Sequence, residues 1–314
     1  MFVILLATYN GENYIEKQID SILNQSYDDW QLVISDDGSS DRTVDIIESY
    51  VRDYPGKISF IRNQSGLRGA YGNFMNLLNQ APEGDCYAFC DQDDEWYTDK
   101  LQVMAKHFNE SNTKPLLVYH DLRVVDSEKN VLGDGFRAYT KLGDREWNGF
   151  YTLMKYNITP GCSVCFNHRL RELIITPKNP VSIHDWWTML VAAAFGDIVR
   201  EDKVLGIYRQ HDSNTLGIVE KSSGLGLVGR YLKPGRLRWV FAQIRSAKKE
   251  AHSMLKEFFA SYGNELEGEL REHLKKYIHY LETNNKLSAL LYGFKKQNRQ
   301  KGVVKTVYYW MCSL

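Results

Sequence analysis

The sequence predicts an α/β fold, a Rossmann-like and mostly parallel sheet flanked by helices, followed by a C-terminal helical extension. Three observations carry this. Over the first hundred residues, apolar runs alternate with segments of helical period. The runs are continuously apolar, as in strands covered on both faces. Three of them end in polar loops, Thr8-Tyr9-Asn10, Asp36-Asp37-Gly38-Ser39 and Asp91-Gln92-Asp93-Asp94, and sheets of this class bind ligands beyond the carboxyl ends of their strands.

Taken in order, Phe2 to Ala7 reads as a buried strand, and Ile15, Ile19, Ile22 and Leu23 recur at helical spacing. Gln31 to Ser35 is the second strand, closed by Asp36 to Ser40, and Val44, Ile47 and Val51 mark the next helix. Lys57 to Arg62 is a third strand; Phe74, Leu77 and Leu78 give the inner face of a third helix; Cys86 to Cys90 is a fourth strand. This βαβαβαβ order implies parallel strands with right-handed crossovers. Beyond it lie a helix near Thr98–Asn109, a strand-like run Leu116–Val125, a glycine-containing loop from Gly133 to Gly149, strands at 161–167 and 203–209, and a buried helix between Ile183 and Phe195. After about residue 218 the pattern changes: Gly224, Gly226 and Gly229 mark a linker, Pro234-Gly235 a turn, and 236–292 read as helices. Two regions are expected, 1–218 for catalysis and 219–314 as a basic helical extension.

A chain of 314 residues can bury a large core without disulfide or metal staples. Its formal charge of zero divides into a net −11 over residues 1–220 and +11 over 221–314, which suggests regions with different partners. Five scattered cysteines, an odd number, point to a reducing, cytoplasmic compartment. Cys162-Ser-Val-Cys165 reads as strand packing, since no second pair or spaced histidine completes a zinc site. The segment Met1 to Ala7 lacks the basic start of a signal peptide. No apolar run approaches the ~20 residues of a membrane-spanning helix. The chain is therefore expected to be soluble or peripheral, and no nucleic-acid-binding motif is present.

Asp91-Gln92-Asp93 with Asp94 is the strongest chemical signal. Three carboxylates in four residues repel one another unless a divalent cation or a set of donors neutralises them. Mg2+ and Mn2+ take oxygen ligands and are commonly held by one or two carboxylates plus substrate phosphates. The plainer reading is an acidic helix N-terminus. Likewise Asp36 to Asp41 is either a capping turn or a loop whose aspartate accepts from a base N–H. Tyr9 is placed to stack on a base. Converging on one rim, these loops favour a nucleotide site.

Together, Ala7-Thr8-Tyr9-Asn10-Gly11-Glu12, Ser21 to Ser26, Asp36 to Asp41 and Asp91 to Asp94 resemble the GT-A fold family 2 glycosyltransferases, over roughly residues 2–215. The resemblance implies that Asp37 contacts a pyrimidine, and that Asp91 and Asp93 hold the ribose and the metal on the donor diphosphate. It implies donor contacts at Thr8, Tyr9, Asn10, Glu12, Arg68, Asn73, Gln92 and Arg209, and an inverting reaction with one carboxylate as general base. Within the family, Ser65 to Phe74 and Tyr208-Arg209-Gln210-His211 resemble bacterial rhamnosyltransferases, which use dTDP-β-L-rhamnose and extend lipid-linked cell-surface polysaccharides. Arg68 on its glycine-rich turn is either a donor contact or a solvated arginine.

Asp185 is the candidate base: it heads an apolar helix, where Trp186 and Trp187 are expected to stack on sugar rings and desolvate it. A helix cap is the plainer reading, and Asp121 is a rival carboxylate inside a strand. His211 matches the late residue that the family brings to diphosphate and metal, and an imidazole ligand favours Mn2+ over Mg2+.

The expected function is inverting transfer of a sugar, L-rhamnose first, from a nucleoside-diphosphate donor to a polyprenyl-diphosphate-linked or growing polysaccharide acceptor. A divalent cation, Mn2+ or Mg2+, held by Asp91, Asp93 and His211 would assist. The alternatives are a UDP-hexose donor, or a binding scaffold that retains the fold without turnover. The basic tail suits either an anionic membrane surface, on the inner face of the cell membrane, or a homodimer contact.

Overall fold

The computed structural model describes residues 1–109, 113–140, 147–175, 177–210 and 234–282, with no side-chain detail for 234–244 and 247. Contacts divide the chain into two compact units, Met1–Asp144 with Asn157–Ile218, and Arg145–Tyr156 with Val219–Leu314.

The first unit is built on one sheet whose described strands are β1 (Phe2–Thr8), β2 (Trp30–Asp36), β3 (Ile58–Arg62), β4 (Cys86–Asp91), β5 (Glu95–Trp96), β6 (Leu116–Val125), β7 (Val131–Gly133), β8 (Val164–Asn167) and β9 (Asp197–Arg209). Their order is β3-β2-β1-β4-β8-β6-β9-β5, with β7 paired to β6. The first four strands are parallel, in the register Thr8 opposite Asp36 and Ala7 opposite Asp91. β8 runs antiparallel between β4 and β6. β6 therefore points the same way as β4, and β9 lies parallel to β6. The carboxyl ends of β1, β2, β4, β6 and β9 thus share one rim with the amino end of β8. The fold is the mixed α/β class expected.

Helices α1 (Ile15–Leu23), α2 (Thr43–Asp53), α3 (Gly69–Gln80) and α4 (Lys100–Ala105) follow the first four strands. Ile15, Ile19 and Ile22 of α1, with Ile46 and Ile47 of α2, pack on Phe2, Ile4, Leu6, Leu32 and Ile34. On α3, Phe74 meets Phe89 of β4 edge-on at 5.1 Å. Both faces of β1 are covered, which is why its sequence is uniformly apolar. Later come α5 (Phe136–Thr140), a 3-10 turn at Gly161–Ser163, α7 (His168–Ile174) and α8 (His184–Phe195).

Several bounds differ from expectation. The strand expected at 203–209 runs from Asp197, because its polar first half pairs with β6 without being covered. The strand expected at 161–167 is a turn followed by the short β8. The loop expected from Gly133 contains α5.

In the second unit, α6 (Phe150–Leu153) precedes the long α9 (Pro234–Tyr262) and α10 (Gly268–Glu282). Pro234 and Gly235, expected as a turn, are the first residues of α9; a proline fits the first helical turn, where its missing N–H has no partner to lose. Phe150 packs on Phe258 at 5.1 Å, and Tyr151 meets His273 edge-on at 4.6 Å. Residues 245–282 hold seven Lys and Arg against seven Glu. The basic surplus of the tail therefore falls in 221–244 and 283–314, outside the described side chains. Among the described residues, no helix is long and apolar enough to cross a membrane.

Candidate active site

The three polar loops are stitched to one another. Thr8 Oγ1 donates to Asp36 Oδ1 at 3.1 Å. Asn10, in the left-handed region at φ 47°, donates its N–H to Ser39 Oγ and accepts from the Ser40 N–H, both at 2.8 Å. Gly11 N–H donates to Thr43 Oγ1 at 2.7 Å, and Glu12 exchanges bonds with Asp41 and the Arg42 N–H. Gln92 bonds both backbone groups of Tyr9, accepting from N–H and donating to C=O at 2.9 Å each. This contact explains Gly11: a Cβ there would sit 2.2 Å from Gln92 Oε1. Tyr9 itself stays 57% exposed at the rim.

Asp37 is buried next to it. Its carboxylate accepts from Asn63 Nδ2 at 2.9 Å and from the Gly69 N–H at 2.7 Å, with Arg68 Nη1 at 3.4 Å. Gly38, at φ 91°, leaves the Arg68 guanidinium room: an added Cβ would lie 2.9 Å from Nη1. Arg68 remains largely exposed. Asn73 lies deeper, its Nδ2 donating to the carbonyls of Ser35 and Thr8 at 2.8 and 3.2 Å, so it ties β1 to β2 from below.

At the end of β4, one ligand atom each from Asp91, Asp94 and Cys162 lie within 4.8 Å of one another. The β4–β8 register brings Cys162 there from the turn before β8. Burial, then the charge of Asp93, then that of Asp185 push the Asp91 carboxyl up to about 7. Burial, then the charges of Asp93 and Asp91, raise Asp94 well above the usual range, and the Cys162 thiol donates to it. Arg209 braces this loop from inside. Its N–H donates to Asp94 Oδ1 at 3.2 Å, its Nε to the Asp93 carbonyl at 3.0 Å, and its Nη2 to Glu95 Oε1 at 2.8 Å. Lys100 is wholly buried, its Nζ 2.8 Å from the Cys162 carbonyl and 3.6 Å above the Trp96 ring. A divalent cation fits this chemistry, because the two carboxyls resist ionisation even with Lys100 near them, and Asp94 Oδ2 is buried without a hydrogen-bond partner. The expected ligands were Asp91, Asp93 and His211. Asp94 and Cys162 are the neighbours gathered around Asp91, and His211 lies outside the described residues.

Asp185 occupies the first turn of α8 and is 4% exposed. Burial, foremost, raises its carboxyl to about 6, against bonds from the N–H groups of Trp186 and Gly161 and the Asn157 side chain. The Asp185 charge acts on Asp91, and Asp185 abuts Gly161, the neighbour of the Cys162 that lies beside Asp91, so Asp185 and the acidic loop border one region. His184 stacks on Phe74 at 3.9 Å and is held neutral by burial, its pKa lowered to about 3. The two tryptophans do not serve as expected. Both are buried, and Trp187 Nε1 donates to the Ile174 carbonyl at 3.0 Å, so neither ring is open to a sugar. Asp121 bonds the N–H groups of Leu122 and Arg137 and abuts Gly135. Sequence reasoning overlooked Lys100 and Gly161 and read Cys162 as strand packing; the antiparallel insertion of β8 gives Gly161 and Cys162 their place at the rim.

The profile of Glycosyl transferase family 2 matches residues 3–173. The dTDP-rhamnosyl transferase RfbG of Shigella flexneri is 30% identical over 241 residues, which span 71% of this chain and 78% of that one. The GalNAc(5)-diNAcBac-PP-undecaprenol beta-1,3-glucosyltransferase of Campylobacter jejuni is 35% identical over 107 residues, 34% of each chain. S. aureus TarS 1-349 in complex with UDP-GlcNAc superposes with a TM-score of 0.53 at 16% identity, covering 99% of this chain and 90% of that one. The mannosyltransferase PcManGT from Pyrobaculum calidifontis, in complex with GDP-Man and Mn2+, gives 0.53 at 15% identity over 99% and 78% of the two chains. These solved structures share the fold.

Proposed function

Because the chain belongs to Glycosyl transferase family 2 and has its GT-A fold, we propose that it transfers L-rhamnose, with inversion, from dTDP-β-L-rhamnose to a lipid-linked or growing polysaccharide. The observation that supports the reaction type is a buried carboxylate, Asp185, set against Gly161 beside the Cys162 and Asp91 of an acidic strand-end loop, on the rim that also carries Asp37 and Tyr9. Asp37 and the exposed Tyr9 receive the pyrimidine. A divalent cation held at Asp91, with Asp93 and His211 as the resemblance implies or with the Asp94 and Cys162 that cluster there, would neutralise charge on the departing nucleoside diphosphate. Asp185, raised to about 6 by its apolar setting, takes the acceptor hydroxyl proton as that oxygen attacks the anomeric carbon. Attack from the face opposite the leaving group converts the β donor into an α-linked product.

The rhamnosyl choice rests on the likeness to RfbG, and the lipid-linked acceptor on the Campylobacter relative's name as well. A UDP-hexose donor is the second reading, since Asp37 and Tyr9 suit either pyrimidine. A thermal-shift panel of dTDP-rhamnose, UDP-glucose, UDP-galactose and UDP-GlcNAc, each with Mn2+, separates them. A ligand present at about 100 times its Kd stabilises the fold by about 2.7 kcal/mol. The largest rise is expected for dTDP-rhamnose, and a larger rise with a UDP-sugar overturns the rhamnosyl assignment.

A further inference from the structure

We propose that Lys100 is a positioning residue that ties the acidic loop to the general base through the turn Gly161–Ser163; the proposal rests on the glycosyl-transfer reading above. The Lys100 ammonium has no exposed surface, so it touches no substrate. It bonds two separate pieces of the site, the face of Trp96 at the end of the acidic loop and the carbonyl of Cys162 in the turn. A buried cation is unfavourable unless its partners compensate. Here the Cys162 carbonyl and the Trp96 face share that task.

The turn it holds faces both halves of the chemistry. The Cys162 Sγ lies within 4.8 Å of carboxylate oxygens of both Asp94 and Asp91, while the Gly161 N–H donates to the Asp185 carboxylate. There is no slack towards α8. A Cβ on Gly161 would lie 2.7 Å from His184 Nε2 and 3.3 Å from the Asp185 Cβ. The remaining bonds of the turn are local, from Ser163 to Pro160 and Thr159. Lys100 therefore fixes the spacing between the carboxylates that anchor the donor and the carboxylate that activates the acceptor. Transfer depends on that spacing, because misplacement of reacting groups by about 1 Å costs on the order of a hundredfold in rate.

Two variants of the full chain test this: Lys100→Met, which removes charge and donor, and Lys100→Gln, which keeps an N–H donor for the Cys162 carbonyl. In Lys100→Met, kcat is expected to fall at least about tenfold, with the donor KM within about twofold. Amide exchange should rise at Gly161 and Ser163 while β1, β2 and β4 stay protected. Lys100→Gln should recover part of both. Wild-type kcat and exchange in Lys100→Met overturn the proposal, as does equal loss in both variants with exchange raised across the sheet. Failure of both to fold also overturns it, by making Lys100 a core residue alone. A wild-type protein without transfer activity sinks the functional reading instead, and the exchange arm still decides the role of Lys100.

Discussion

Asp185 carries its consequences in its surroundings. Its folded pKa, about 6, lies above the 3.8 of a free aspartate because burial disfavours the charged form. The folded state thus binds the proton more tightly, so stability attributable to this group is present below about pH 4 and is lost as pH rises towards 6. A rise of that size corresponds to about 3 kcal/mol at most. Activity has the opposite sense, since only the ionised carboxylate accepts a proton. The acid limb of the kcat profile is expected near pH 6, and Asp185→Asn should melt at pH 8 no lower than wild type. A limb that persists unchanged in a still-active Asp185→Asn, or a variant that melts well below wild type, contradicts this account. Asp185 was legible because a carboxylate at the head of an apolar helix is conspicuous. The burial of Trp186 and Trp187 was not, because it depends on the Ile174 carbonyl and on packing that spacing does not reveal.

At the scale of elements, the rim works because loops from different strands bond one another instead of solvent. Gln92 and Gly11 show how narrow the fit is. Gly11→Ala is expected to expel the Gln92 amide and break both bonds to Tyr9, costing about 1–2 kcal/mol in stability and weakening donor binding. Gln92→Ala should cost a similar amount, and the double variant little more than either alone, since both remove one clamp. Full additivity in melting or denaturant measurements would show that the clamp does not couple them. Strands β1 to β4 were readable from their apolar runs and the turns between them. The reversal of β8 was not, because a four-residue buried strand has the same composition in either direction. That reversal is what delivers Cys162 to Asp91. In the same way, Arg209 read as a donor contact by resemblance, yet its guanidinium is occupied by Asp93, Glu95 and Ser127.

Across the whole molecule, the two-unit division accompanies an uneven charge. The described helices α9 and α10 balance seven Lys and Arg with seven Glu over 245–282. We therefore assign any attraction to an anionic surface to 221–244 and 283–314. Each basic residue near such a membrane contributes about 1 kcal/mol, and the attraction is screened by salt. Full-length protein is expected to sediment with phosphatidylserine-containing vesicles at low salt and to be released at high salt. Removal of 283–314 should weaken binding, whereas unchanged sedimentation would shift the basic tail to a subunit contact.

The central claim is that Asp185 activates the acceptor while the acidic loop anchors the donor. It is tested most directly by comparing donor affinity and turnover in wild type and Asp185→Asn, with dTDP-rhamnose, Mn2+ and a polyprenyl-diphosphate-linked saccharide. The account predicts a donor Kd within about twofold and a kcat lower by about 10²–10⁴-fold, the range for loss of a general base. Turnover of Asp185→Asn at the wild-type rate would contradict it.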